Sequence, residues 1–116
     1  MLIEMDIRVV SEANLREHWR PRARRSQGQR SAAMVYCLER FGRNWKPTPP
    51  LTITLTRIAP RRLDSDNLAR AFKSVRDGIA DALGIDDGDE RLTWVYNQHR
   101  GRPGQYAVAV TIDATD

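Results

Sequence analysis

Two short acidic runs stand out in this chain for the chemistry their residue types allow. Asp64-Ser65-Asp66-Asn67 follows the basic stretch Arg61-Arg62-Leu63, and Asp86-Asp87-Gly88-Asp89 comes after an intervening helical segment. Carboxylates brought to one place repel, and a cation between them relieves the repulsion. A ligand set made only of oxygen, with positions left open to water, suits Mg²⁺, with Mn²⁺ as a substitute. Mg²⁺ shared between carboxylates and a phosphodiester activates water and neutralises the charge developing on the leaving oxygen. For the two runs to act together, strands near 51–58 and 91–98 must pair in one sheet and bring both to its edge.

Each of these residues also has a plainer use. Asp66 suits a helix N-cap, where a carboxylate accepts the free amide protons of the first turn, although this leaves Asp64 beside it unexplained. Asp86 to Asp89 read equally well as a Gly-containing turn of solvated acids. At about 100° per residue, Asp66, Arg70, Lys73 and Asp77 fall on one polar stripe opposite Phe72 and Val75. For Arg70 and Asp77 that stripe serves as well for surface ion pairs, each worth roughly a few tenths of a kcal/mol. Lys73 is the better candidate for function, because a compact ammonium can contact a scissile phosphate or stabilise a leaving group.

Charge is segregated along the chain. Residues 1–63 hold 13 of the 19 Arg and Lys but only five acids, whereas residues 64–90 hold eight of the 15 acids. A basic surface around an acidic cluster is what an enzyme acting on a polyanion with metal ions needs. Arg16, Arg20, Arg22, Arg24, Arg25 and Arg30, with Trp19 among them, form the densest basic run, and phosphate contact is its natural use; solvated surface is the alternative. Arg61, Arg62 and Arg70 add basic charge next to the first acidic run. Trp19 can stack on an unpaired base or anchor packing. His18 and His99 are isolated, and neither is assigned a role.

The elements that must position these residues read as one domain spanning 1–116, the usual size for a single core. Leu2 to Val10 alternates as a half-buried strand, and Ser11 to about Pro21 reads as irregular loop. Apolar spacing predicts a helix from Arg22 to Phe41, its early part open to either helix or loop, ended by Gly42. Leu51 to Thr56 alternates strictly, with Thr on one face, and is the clearest strand. A second helix is expected from about Asn67 to Leu83 on the stripe Leu68, Phe72, Val75, Ile79 and Leu83, with Gly84 closing it. Strands near Arg91 to Gln98 and Tyr106 to Ile112 follow, around a turn at 101–104. The order β-α-β-α-β-β gives an α+β fold with a mixed sheet and two main helices.

Cys37 is the only cysteine, which excludes an intramolecular disulfide or a thiolate zinc site made by this chain alone and fits a reducing compartment. The N-terminus carries acids where a signal peptide needs a basic start, and no apolar run reaches bilayer length, so the expected setting is the cytoplasm, with no membrane partner. Aromatics are few, so each of the three Trp residues is expected to anchor a local cluster. A modest core raises the chance that a dimer interface buries further apolar surface.

Leu63-Asp64-Ser65-Asp66-Asn67-Leu68, followed by Lys73 and then Asp86-Asp87, resembles the signature of the RusA family of Holliday-junction resolvases, commonly carried by phages and prophages. Asp-x-Asp-Asn is the specific part, and Arg61 and Arg62 before it also fit the pattern. The resemblance implies a homodimer of α+β subunits that cuts four-way DNA junctions symmetrically with Mg²⁺. It makes Asp64 and Asp66 the first catalytic acids, Asp87 or its neighbour Asp86 the distal one, and Lys73 the nearby lysine. The family lysine usually comes three residues after the asparagine, where this chain has Arg70. Either the helix carries an insertion before Lys73, or Arg70 has taken the lysine's place.

The resulting expectation is a dimeric, Mg²⁺-dependent, structure-selective endodeoxyribonuclease. Asp64, Asp66, Asp86 and Asp87 bind metal, Lys73 assists at the phosphate, and two equivalent sites match the two-fold symmetry of a junction. The rivals are a non-catalytic DNA-binding protein held by Arg–phosphate contacts and a degenerate resolvase that binds junctions without cutting.

Overall fold

The computed structural model describes residues 1–11 and 19–115, with the side chains of all but 19–21. The described residues form an α+β domain with one four-stranded mixed sheet and three helices. The elements are β1 (Leu2–Met5), α1 (Trp19–Phe41), β2 (Leu51–Ala59), α2 (Ser65–Ala71), α3 (Lys73–Leu83), β3 (Leu92–Arg100) and β4 (Ala107–Ala114). The sheet order is β1-β4-β2-β3; β2 and β3 run parallel from Leu51 opposite Leu92 to Ala59 opposite Arg100, and the other pairs are antiparallel. The pairing on which the convergence of the acidic runs depended is therefore present.

Period-two burial builds the sheet. Along β2, Leu51, Ile53, Leu55, Arg57 and Ala59 are buried, while the alternate positions Thr52, Thr54, Thr56 and Ile58 are half-buried on the other face. The inward set joins Val108, Val110 and Ile112 of β4 in a core shared with Ala33, Cys37 and Phe41 of α1 and Val75, Ile79 and Leu83 of α3. At the N-terminus the ladder ends at Met5, but alternation carries Ile7 and Val9 into the same core. Of the tryptophans expected to anchor clusters, Trp45 is half exposed and meets Phe41 only edge-on, at 6.1 Å between centroids.

Three features of the helices differ from the sequence expectation. Helix α1 begins at Trp19, inside the stretch expected to be loop, and keeps the polar stretch 22–30 helical. Pro21 is tolerated because first-turn N–H groups have no acceptor within the helix. The single helix expected from Asn67 to Leu83 is two helices, α2 and α3, meeting at Phe72. The apolar stripe runs across the joint unbroken, and Phe72 stays fully buried at the pivot, so periodicity carries no trace of the division. Asp64, not Asp66, is the N-cap of α2.

Helices α1 and α3 approach closely at Gly78, where an added Cβ would strike the Arg30 carbonyl oxygen and lie 2.9 Å from Ala33 Cβ. Arg30 then clamps the pair through two hydrogen bonds to Asp81, Nε to Oδ2 at 2.7 Å and Nη2 to Oδ1 at 2.9 Å. Gly84, at φ 72°, reverses the chain after α3: its N–H donates to Asp81 O and that of Ile85 to Ala80 O, a Schellman closure. This reversal carries the second acidic run back along α3.

Candidate functional site

The first acidic run is built around its asparagine. Asp64 is extended (φ −70°, ψ 166°), and its Oδ1 accepts the Asn67 N–H at 2.9 Å while its Oδ2 accepts from Asn67 Nδ2 at 3.1 Å. The residue pair thus fixes both the start of α2 and the orientation of the carboxylate. Asp66 lies exposed in the first turn of α2, where the helix dipole favours a negative charge. Asp64 lines a cleft with Arg62, Leu68, Tyr96, Gln98 and His99.

The second run is organised by cations from α3. Lys73 Nζ donates to Asp77 Oδ1 at 2.8 Å and to Asp87 Oδ2 at 3.1 Å. Those hydrogen bonds, Asp77's first and Asp87's second, raise the Lys73 pKa, and Lys73 in turn holds the Asp87 carboxyl below its usual range. Arg76 Nε lies 3.0 Å from Asp87 Oδ2 without lining up as a hydrogen bond, while its Nη2 donates to Asp87 O at 2.9 Å. The Asp87 carbonyl also accepts from Trp94 Nε1 at 2.9 Å, and the Arg76 guanidinium sits 4.8 Å from the Trp94 ring centroid.

The neighbouring acids do different work. Asp86 Oδ1 accepts the Gly88 N–H at 3.2 Å and shapes the turn. Asp89 accepts from the Arg91 backbone at 2.9 Å and from its guanidinium, at 3.1 Å from Nε and 2.9 Å from Nη2, and Arg91 holds its carboxyl down to about 2. Asp89 is thus committed to the entry of β3, and Asp87 is the acid of this run that meets Lys73.

Tyr96 links the two runs. Its hydroxyl accepts from Arg76 Nη1 at 2.7 Å, its ring stacks on Phe72 at 5.9 Å, and it lines the cleft that holds Asp64. The donor chemistry of Asp64, Asp66, Asp86 and Asp87 suits a hard divalent cation, since all four offer carboxylate oxygens and all but Asp87 are exposed. Among the described residues, however, no three His, Cys, Asp or Glu side chains stand close enough to share one ion. Asp64 is held by Asn67 and Asp87 by Lys73, so the two runs stand as separate groups linked through Tyr96.

The basic residues divide into several places. Arg61 and Arg62 flank the mouth formed where β2 and β3 end, and Arg70 is exposed on α2. Arg24 is exposed on α1; Arg22 and Arg25 are partly buried there and have interaction partners. Arg20 lies in the first turn of α1, outside the described side chains with Trp19, and Arg16 and His18 fall outside the described residues. Sequence reasoning missed Arg76, Tyr96 and Arg57. Arg57 left a signal, because it continues the inward register Leu51, Ile53, Leu55 of β2. Arg76 and Tyr96 left none, since their roles depend on the chain reversal at Gly84. No described helix is long and apolar enough to cross a membrane.

No protein-family model matches the chain, and no solved structure matches it. An uncharacterized protein of Xylella fastidiosa strain Temecula1 is 39% identical over 79 residues, which is 64% of this chain. The chain spans about half, 51%, of that relative's length.

Proposed function

We propose that this chain is a Mg²⁺-dependent, structure-selective endodeoxyribonuclease of the RusA type, acting in the cytoplasm as a homodimer that resolves four-way DNA junctions by paired phosphodiester hydrolysis. The observation that carries the reading is the Lys73 ammonium. Two of its three N–H groups are fixed by Asp77 and Asp87, and the side chain remains 61% exposed. An ammonium held at two points and open to solvent at the third is prepared to meet a non-bridging phosphate oxygen. Asp77 and Asp87 keep it charged and aimed; Arg76 holds the backbone of Asp87 in place. Asn67 sets the Asp64 carboxylate at the edge of the neighbouring cleft. The metal would be held by carboxylates of the two runs, Asp64 and Asp66 on one side and Asp86 and Asp87 on the other, drawn together on binding from the separate positions they hold here, and would supply an activated water and charge neutralisation. Displaced lysine spacing is accommodated because Lys73, rather than Arg70, is the cation paired to the distal acid.

One observation favours a second reading, a junction-binding protein that does not cut. The oxygens of Asp64 accept hydrogen bonds from Asn67, and Asp87 is paired with Lys73 and Arg76, so these two carboxylates have partners without a metal. Cleavage of a labelled four-way junction and its matched linear duplex, with Mg²⁺ and with EDTA, separates the two. Paired nicks in the junction alone, lost with EDTA and in Asp66→Asn while binding persists, are expected; binding without any cut would leave the non-catalytic reading.

A further inference from the structure

The parallel strands β2 and β3 end together at Ala59 and Arg100, and beyond their carboxyl ends lies a cavity of about 420 Å³. Arg57, Arg61, Arg62, Gln98, His99 and Arg100 line it, and among the described residues no carboxylate does. Arg57 is the unusual member. It occupies an inward position of β2, is only 5% exposed, and donates from Nε to Val9 O at 2.8 Å and from Nη1 to Arg61 O at 2.6 Å. Both acceptors are neutral backbone carbonyls, and among the described residues no acid pairs with it. Burial lowers its pKa, Tyr106 raises it and Arg8 lowers it, and a guanidinium stays charged throughout the working pH range.

A buried cation without a counter-charge is costly, and an anion bound at this cavity would supply the charge that the two carbonyls do not. Of the five N–H groups of Arg57, those two bonds use two, and Nη2 is not among the buried nitrogens that lack a partner. We infer that this cavity is a phosphate-binding subsite, with Arg57 as its buried positive floor and Arg61, Arg62 and Arg100 closing around the bound oxyanion. The planar guanidinium fork matches phosphate oxygens, and four of them together suit a multiply charged anion better than a lone carboxylate. The subsite adjoins the Asp64 cleft, with which it shares Arg62, Gln98 and His99. A strand with one phosphate on Arg57 therefore continues past Asp64. The phosphate is either an internal phosphodiester or a terminal or free phosphate, and only the first source rests on the nuclease reading.

The test is made in EDTA, so that strand cutting contributes nothing. Inorganic phosphate is titrated into the full chain while the Arg57 Nε and Arg62 amide signals are followed by NMR. A 5′-phosphorylated and a 5′-hydroxyl version of one DNA duplex are then bound across a salt series. Wild type is expected to show saturable shifts at Arg57, weakened about tenfold or more in Arg61→Ala and Arg100→Ala, whose exposed side chains are replaceable without disturbing the core. Each of these variants should also flatten the salt dependence of DNA binding by about one ion. Preference for the 5′-phosphorylated duplex assigns the subsite to a terminal phosphate, and equal binding assigns it to the strand backbone. Absence of saturable shifts at Arg57, or rim variants that bind phosphate and DNA as wild type does, would overturn the subsite. That outcome leaves the nuclease reading to its cleavage assay, just as a wild type that binds phosphate without cutting leaves the subsite standing.

Discussion

Lys73 and Asp87 are separated by 14 residues in sequence and by 3.1 Å in space, Nζ to Oδ2. The contact exists because Gly84 takes a left-handed conformation and turns the chain back along α3, so that an acid beyond the helix meets a lysine at its start. Asp77, one turn into α3, completes the arrangement at 2.8 Å. A cation, its two acids and the neighbouring Arg76 thus form one polar unit on the solvent side of a helix whose opposite face fills the core.

Replacing Lys73 by Met tests that unit. Its side chain is 61% exposed and its ion pairs are of the surface kind, so stability should change by no more than about 1 kcal/mol. If the ammonium stabilises charge at the reacting phosphate, single-turnover cleavage of a junction should fall by about 10²-fold or more, with junction binding nearly unchanged. An undiminished rate in Lys73→Met would remove Lys73 from the chemistry and return attention to Arg70.

Asp64 allows structural and chemical roles to be separated at one position. Asp64→Ala removes the cap of α2 and should cost about 1 kcal/mol, read by urea denaturation. Asp64→Asn retains a good capping side chain, so its stability should stay within about 0.5 kcal/mol of wild type. Both substitutions should nevertheless abolish cleavage, because both remove the carboxylate charge. Cleavage surviving in Asp64→Asn and reduced only in proportion to stability in Asp64→Ala would mean that Asp64 is a cap and nothing more.

What could be read from the sequence follows what each signal depends on. The inward–outward alternation of Leu51 to Thr56 and the glycine stops at Gly42 and Gly84 are local, and the structure reproduces them. The joint at Phe72 was invisible because Leu68, Phe72 and Val75 keep the apolar stripe continuous through it. Asp64 and Asp66 both suit a helix cap by type, and only the extended backbone of Asp64 decides that it, and not Asp66, caps α2. Lys73 was singled out, but its partner among Asp86, Asp87 and Asp89 depends on how the chain folds back after Gly84. Arg57 was within reach of the sequence, since extending the period-two pattern past Thr56 puts a charge on the core face.

The opposed pKa shifts of Lys73 and Asp87 define a pH window. Asp87 is depressed in the folded state, chiefly by Lys73, so its contribution is complete above the unfolded carboxyl value of about 3.9 and is lost as pH falls through the folded value. Lys73 is raised, chiefly by Asp77 and then Asp87, so its contribution is complete below about 10.4 and is lost as pH rises through the folded value. The stability difference between wild type and Lys73→Met should therefore be flat from about pH 5 to 9 and shrink in acid. Urea midpoints measured from pH 2.5 to 9 check it; a difference that persists unchanged at the acid end would show that the effect is not the ion pair.

Gly78→Ala tests the contact on which the placement of α3 depends. In an open helix this substitution would stabilise by about 1 kcal/mol, because alanine restricts the unfolded chain and favours the helix. Here the added methyl meets the carbonyl oxygen of Arg30, a backbone atom that cannot swing away, and Ala33 Cβ at 2.9 Å. Forcing the helices apart costs about 1–3 kcal/mol in a packed core and should outweigh the propensity gain. Thermal denaturation should show a fall of several degrees, at about 4–8 °C per kcal/mol for a domain near this size. The Arg30–Asp81 clamp joins the same two helices, so a displaced α3 should also weaken that pair and loosen the Lys73–Asp87 unit carried on it. A melting temperature at or above that of wild type would mean that α1 and α3 do not approach this closely.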